Sequence, residues 1–335
     1  MKYTILLWPH ANARYRAETV RLARAELEVI LSRADAEARV ETAGSADLPM
    51  LSIETGAPLE GEHLNAVRRA SLMYCLFETR PDGSMLPIAG REHAYLGEDL
   101  PGILKYKGKT NEMFTQLLIN AGLYAGDFCA PEIPVRLYDP MCGRGTTLLV
   151  GANRGWQCTG SDVDRAGLNE AEQFLKRYLE YHRIKHAFER ESLTLTGKNH
   201  APCVQCTFAD TPAHYKSGET ASVRLVNCDA CEARNAFGAK TFHLIACDLP
   251  YGVQHASKGG QLEGLLARAL PIWKKTLVPG GTIAISFNAQ TLKRDRVREL
   301  MQEAGMEPMA GGAWDGFAHW VEQAVTRDIA VCRRV

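Results

Sequence analysis

No stretch of this 335-residue chain approaches the roughly 18 consecutive apolar residues that a membrane-spanning helix requires. The start, MKYTILLWPHANARYR, has only a short apolar run ending at Trp8-Pro9 and lacks a small-residue cleavage site, so it reads as a first strand and not as a secretion signal. Those absences lead us to expect a cytoplasmic protein. A surplus of either charge is also missing: 39 Lys and Arg stand against 39 Asp and Glu. Over residues 1–110 the count is 14 basic to 15 acidic, which leaves no basic arm, and any contact with a polyanion has to come from small clusters. What is present is ordinary for a folded protein, with 46% hydrophobic and 23% charged residues. The ten cysteines are scattered through strand-like and loop-like segments, which fits reduced thiols better than a disulfide framework. The length favours two domains, or one α/β domain with an accessory module.

From about Val135 the pattern becomes strand, glycine-rich turn, helix: VRLYDP is apolar and β-prone, MCGRGTT is a turn, and LLVGANRG is a short helix stopped at Gly155. WQCTGSDVD then reads as a second strand ending in acids, followed by a long amphipathic helix over residues 165–183. SVRLVNCDA, FHLIACDLP, GTIAISFNA and RDIAVCRRV read as further strands. Strands alternating with helices predict a Rossmann-like α/β fold with a mainly parallel, doubly wound sheet. Gly143 and Gly145 form G-x-G, but Leu148 stands where a dinucleotide fingerprint needs a third small residue, which disfavours a pyrophosphate binder. The glycines still let the backbone approach a ligand closely. Asp139, Asp162 and Asp229 close three successive strands, where an acid accepts bonds from ribose hydroxyls or an adenine amine. Each is also a plain candidate for a turn or helix cap. Taken together they suit an adenosine carrying a cation, and S-adenosylmethionine has that chemistry.

The tetrapeptide Asp248-Leu249-Pro250-Tyr251 joins an acid to a rigid turn and an aromatic face. A carboxylate and a neighbouring backbone carbonyl accept the two N–H bonds of an exocyclic amine, and a tyrosine ring stacks on the heterocycle that carries it. The plain alternative is a strand-to-turn exit. Cys142 and Cys247 lie beside these segments, but neither has a sequence-level base, so we assign them to packing and not to nucleophilic catalysis.

In this order DPMCGRGTT, GSDVD, NCDA and DLPYG resemble the S-adenosylmethionine-dependent amino methyltransferases, in particular the tRNA guanosine N2-methyltransferase group, over residues 109–335. The resemblance implies a class I methyltransferase domain with a mainly parallel seven-stranded sheet. It implies that Asp139, Gly143 and Gly145 surround the methionine moiety, Asp162 the ribose and Asp229 the adenine, with Asp248, Leu249, Pro250 and Tyr251 around the target amine. Thr110 and Asn111 open the helix that precedes the first strand in that family, near the methionine end. An RNA substrate, tRNA in the leading case, is the implied partner. Leu249 departs from the family, which commonly has proline there. Leu249 supplies a backbone carbonyl and shape, so activity is expected to survive while the substrate class stays open. DNA methylation at adenine N6 or cytosine N4 needs the same clamp, and protein-glutamine methyltransferases typically have asparagine where Asp248 stands. A non-catalytic nucleic-acid-binding module is a further alternative.

Residues 1–104 read as a smaller α+β substrate-recognition domain with a βαββαβ, ferredoxin-like order, ahead of a methyltransferase domain over residues 105–335. Residues 184–222 exceed an ordinary connection and read as a lid or a substrate-specific insertion. Within it, Cys203-x-x-Cys206 precedes Cys228-x-x-Cys231 by 21 residues, a spacing like that of a zinc ribbon. The second pair brackets Asp229, so we expect no metal and assign the thiols to packing. Lys105, Lys107 and Lys109, interleaved with Tyr106, and the pair Arg68-Arg69 are the candidate phosphate contacts.

Overall fold

The structure is a computed structural model and describes residues 1–8, 13–33, 37–45, 48–106, 108–129, 134–197, 199–250 and 259–335. Tyr251 and Lys107 lie outside the described residues. The first part runs β1 (Lys2–Leu7), α1 (Ala13–Leu31), β2 (Arg39–Gly44), β3 (Pro49–Glu54), α2 (Gly61–Arg68), β4 (Met73–Thr79) and β5 (Met85–Gly90). These strands form an antiparallel sheet in the order β2-β3-β1-β4-β5. Ile5, Leu51, Ile53 and Leu76 on its inner face are fully buried, and this period-2 burial sets the register.

The second part opens with α3 (Leu100–Ile103) and α4 (Glu112–Ala125). It continues with β6 (Arg136–Asp139), α5 (Thr146–Ala152), β7 (Gln157–Asp162), α6 (Arg165–Tyr181), β8 (His186–Thr194), β9 (His200–Phe208), α7 (Pro212–Ser217), β10 (Ala221–Asn227), α8 (Ala233–Phe237) and β11 (Phe242–Asp248). The chain ends with α9 (Gly259–Thr276), β12 (Leu277–Asn288), α10 (Arg294–Glu303), β13 (Glu307–Pro308), β14 (His319–Glu322) and β15 (Val325–Arg333). The fold is α/β and Rossmann-like, and its sheet is larger than the expected seven strands. Ten strands run β13-β15-β12-β11-β6-β7-β10-β9-β8, with β14 paired to β15. Only the central β10, β7, β6, β11 and β12 are parallel to one another. Their near-continuous burial, clearest in β11 and β12, is what a strand covered on both faces requires.

Two of the strands beyond the expected set, β8 and β9, come from residues 184–222, while β13 and β14 come from near the end of the chain. β8 and β9 make a long hairpin that extends the sheet antiparallel from β10. That placement also separates the thiols of the first Cys-x-x-Cys pair. Cys203 and Cys206 are three apart on β9, so they face opposite sides of the sheet. Cys206 joins the main core and Cys203 a separate small cluster with Val226 and Cys228.

One buried cluster runs through both parts, from Tyr3 and Leu27 to Leu118 and Leu244. Its polar pin is Glu26 of α1, 1% exposed. The Glu26 carboxylate accepts from the Ser71 N–H (3.0 Å) and hydroxyl (2.6 Å) and from Asn120 Nδ2 (2.6 Å) on α4. α4 is apolar and lies against β11 and β12, where Gly122 permits the approach: a methyl there would stand 2.5 Å from Leu244 Cδ1.

Candidate active site at the carboxyl ends of the central strands

β6, β7, β10 and β11 all end at the same edge of the sheet, because parallel strands with right-handed helical crossovers deliver their following loops to one side. Asp139, Asp162 and Asp248 are the last residues of β6, β7 and β11. The turn after β6 needs its glycines: Gly143 and Gly145 have φ of 50° and 82°, in the left-handed region. Gly143 N–H donates to Asp162 Oδ2 (2.8 Å) and Asp164 N–H to Asp162 Oδ1 (2.8 Å). The Asp162 carboxylate therefore knits the first turn to the second strand and keeps acceptor capacity on both oxygens.

Leu148 does not push α5 away from the sheet. The room is made one strand over, where a methyl at Gly160 would stand 2.5 Å from Leu148 Cδ1 and 2.7 Å from Cys142 Sγ. Gly151, a turn further along α5, makes the second close approach: a methyl there would stand 2.7 Å from both Cys158 Sγ and Leu137 Cδ2. The role of the missing third glycine is thus taken by two glycines at other positions.

Asp139 is almost completely buried, accepts from Met141 N–H (3.1 Å), and is approached by Thr147. Burial pushes its carboxyl up to about 7 against those hydrogen bonds, with the neighbouring Asp162 and Asp248 adding to the rise. Asp248 faces Ser286 across the β11–β12 ladder and accepts from the Thr110 hydroxyl. Burial raises its pKa, opposed by the Arg327 guanidinium and by hydrogen bonds with Thr110 and Ser286. Arg327 itself lies over the Phe114 ring, 4.5 Å from its centroid.

The structure brings Thr110, Asp139, Gly143, Gly145, Asp162 and Asp248 to this edge. Asn111 serves as the N-cap of α4, its side chain accepting from Met113 N–H (2.8 Å). Asp229 follows β10, is exposed, and accepts from Cys231 N–H (2.7 Å). Leu249 is buried and its N–H continues the ladder to the Ser286 carbonyl (3.0 Å), whereas Pro250 is exposed. The Cys142 and Cys247 thiols are buried and held well above their ordinary pKa, by burial first and then by the carboxylates around them, so neither supplies a thiolate.

Sequence reasoning missed several neighbours. Tyr106 shares a 3.0 Å hydrogen bond with Thr146 and lies under Arg144, 4.8 Å from its ring centroid. Asn227 Nδ2 donates to the Asp162 carbonyl (2.9 Å). Tyr106 and Asn227 sit inside segments already singled out and were open to recognition. Ser286 and Arg327 carry no sequence signal, since each reaches Asp248 only through sheet pairing or packing.

Asp162 and Asp248 add to the raised proton affinity of Asp139, and one guanidinium, that of Arg327, is among the groups around Asp248. A ligand carrying sulfonium and ammonium charge beside sugar hydroxyls fits that donor set. By fold and site the chain is an S-adenosylmethionine-dependent methyltransferase. Residues 129–309, just over half of the chain, match the UPF0020 family, described as the RMKL-like methyltransferase domain, and the chain belongs to that family.

No curated protein matches the chain. Similar solved structures include a TehB-like SAM-dependent methyltransferase from Corynebacterium glutamicum, at 17% identity over 65% of this chain and 85% of that one, TM-score 0.37. The rRNA methyltransferase aviRa from Streptomyces viridochromogenes aligns at 16% identity over 69% and 88%, TM-score 0.38. A ribosomal protein L11 methylase from Lactobacillus delbrueckii subsp. bulgaricus aligns at 12% over 67% and 80%, TM-score 0.36. Likenesses of this strength do not bear on the acceptor.

Proposed function

We propose that the chain methylates an exocyclic amine of a nucleic-acid base, with guanosine N2 of tRNA as the leading acceptor. The observation that carries this reading is the position of Asp248, a partly buried carboxylate at the end of β11 that accepts from the Thr110 hydroxyl and acts on Asp139 of the glycine turn. S-adenosylmethionine, when bound, supplies an electrophilic methyl group. The protein's tasks are then alignment and exclusion of water. Gly143 and Gly145 bring backbone close to the methionine moiety together with Asp139, and the remaining lone pairs of Asp162 take ribose hydroxyls. Asp229 is within the same strand-end series for the adenine amine. Asp248 and the Leu249 carbonyl accept the two amine N–H bonds, which aims the nitrogen lone pair, and Tyr251 stacks on the base. The raised proton affinity of Asp248 suits it to take the proton that the amine loses.

In the same reading residues 1–104 are a ferredoxin-like substrate-recognition unit for the catalytic domain of residues 105–335. The test is Asp248→Ala assayed with radiolabelled methyl donor: transfer to tRNA is expected to vanish while S-adenosylmethionine binding persists. Retained turnover would sink the assignment.

A further inference from the structure

The arginines singled out in the sequence as candidate phosphate contacts do not stand alone. Arg68 and Arg69, at the end of α2, line a groove with Arg91, which follows β5, and with Arg154, which follows α5. This cavity of about 240 Å³ lies between the first sheet and helices α4 and α5. Three carboxylates also line it, but two are engaged: Glu92 forms a bidentate pair with Arg69 (2.6 and 2.9 Å), and Glu112 pairs with Lys109 (3.5 Å). That leaves Arg68, Arg91 and Arg154 against Glu98.

The hydrogen bonds of Arg68 and Arg91 go to neutral groups, with Glu98 and Glu26 acting on Arg91 and Glu92 and Glu26 on Arg154 without pairing. Arg68 donates to the Gly90 carbonyl (3.0 Å) and to Asn65, and Arg91 donates to Gln116 Oε1 (2.7 Å). Arg154 Nη1 is buried without a hydrogen-bond partner, while its guanidinium lies 5.2 Å from the Trp156 ring centroid. Among the described residues no carboxylate pairs with Arg91 or Arg154. Burial lowers the pKa of both, that of Arg154 to about 10, so Arg154 stays charged at neutral pH. Half-buried cations without an ion partner are costly, and an anion entering the groove removes that cost. The planar fork of a guanidinium fits phosphate oxygens in particular.

The geometry points to this groove as a seat for backbone phosphates of the nucleic-acid acceptor, held by Arg91 and Arg154 with Arg68 at the rim. The inference rests on the nucleic-acid reading of the active site. The groove starts at the first turn of α4, next to Thr110, which holds Asp248. Gln116, the partner of Arg91, is six residues beyond Thr110, or about 9 Å along a helix axis. The Arg91 end of the groove therefore lies along α4 from the residue that holds Asp248. Lys109 of the lysine triplet does not fill this role, because its ammonium donates to the Pro101 and Gly102 carbonyls (2.7 and 3.3 Å).

The experiment measures binding of unfractionated tRNA by the full chain across a salt series, with S-adenosylhomocysteine affinity and thermal melting as checks on folding. Arg91→Gln and Arg154→Gln should each lower the slope of log affinity against log salt by about one. Glu98→Gln, which removes the opposing charge without touching packing, should tighten binding. Unchanged slopes in folded variants, with wild-type tRNA binding intact, would overturn the groove and leave the functional reading standing. Inorganic phosphate that binds in the groove while the tRNA slopes stay unchanged would identify a free-anion site and also overturn it. A wild-type protein that binds no tRNA at any salt would take down the groove and the tRNA reading together.

Discussion

Asp139 makes cofactor affinity depend on pH in a way that can be worked out beforehand. In the empty protein its carboxyl titrates at about 7, chiefly because it is buried, with Asp162 and Asp248 adding to the effect. A cationic ligand favours the carboxylate, so binding must expel the proton wherever Asp139 carries one. If the bound form titrates near the ordinary value of about 4, affinity at pH 5.5 falls about 30-fold below that at pH 8.5, or about 2 kcal/mol. The same shift acts on the empty protein with a defined sign. The folded-state value lies above the unfolded one, so Asp139 contributes stability that is complete below pH about 4 and lost as the pH rises through about 7. Isothermal titration of S-adenosylmethionine at several pH values, in buffers of different ionisation enthalpy, reads both affinity and proton release. Near pH 6 close to one proton should leave per ligand bound, and Asp139→Asn should remove most of that release. A flat affinity between pH 5.5 and 8.5, or a slope that survives in Asp139→Asn, would refute the reasoning.

Two further predictions concern how the site is held. Gly160→Ala places a methyl 2.5 Å from Leu148 Cδ1 and 2.7 Å from Cys142 Sγ. It should destabilise the fold by about 1–3 kcal/mol in urea titration and loosen cofactor binding, because α5 carries the glycine turn. Glu26→Ala strands the Ser71 N–H and hydroxyl and the Asn120 amide in the core. The expected cost is about 3 kcal/mol, with hydrogen exchange rising first around Ser71 and the middle of α4. Equal stability in either variant would contradict the packing described for that residue.

The catalytic half was legible where chemistry and local pattern coincide. The β6 turn needs glycines with positive φ and announces itself as MCGRGTT, and an acid at the end of a strand is visible when the strand is as apolar as FHLIAC. The helices were legible as well, since Leu168, Phe174, Leu175, Tyr178 and Leu179 on α6 keep the spacing of one buried face. What the sequence hid depends on contacts distant along the chain. Arg327 approaches Asp248 from β15, 79 residues later in sequence, and Gly160 makes room for a leucine on a different element. The strands of residues 184–222 were not legible, because only the pairing of the hairpin with β10 distinguishes a half-polar stretch there from a loop. The zinc-like spacing of Cys203 and Cys206 suits a turn, but on an extended strand it sends the two thiols to opposite faces.

The central claim is that Asp248 presents a nucleic-acid amine to the methyl donor. Nucleoside mass spectrometry of tRNA, rRNA and DNA from a strain deleted for this protein tests it most directly. The account predicts the loss of one methylated base from RNA, N2-methylguanosine in tRNA in the leading case, restored by the wild-type chain and not by Asp248→Ala. An unchanged set of methylated bases in all three pools would contradict it.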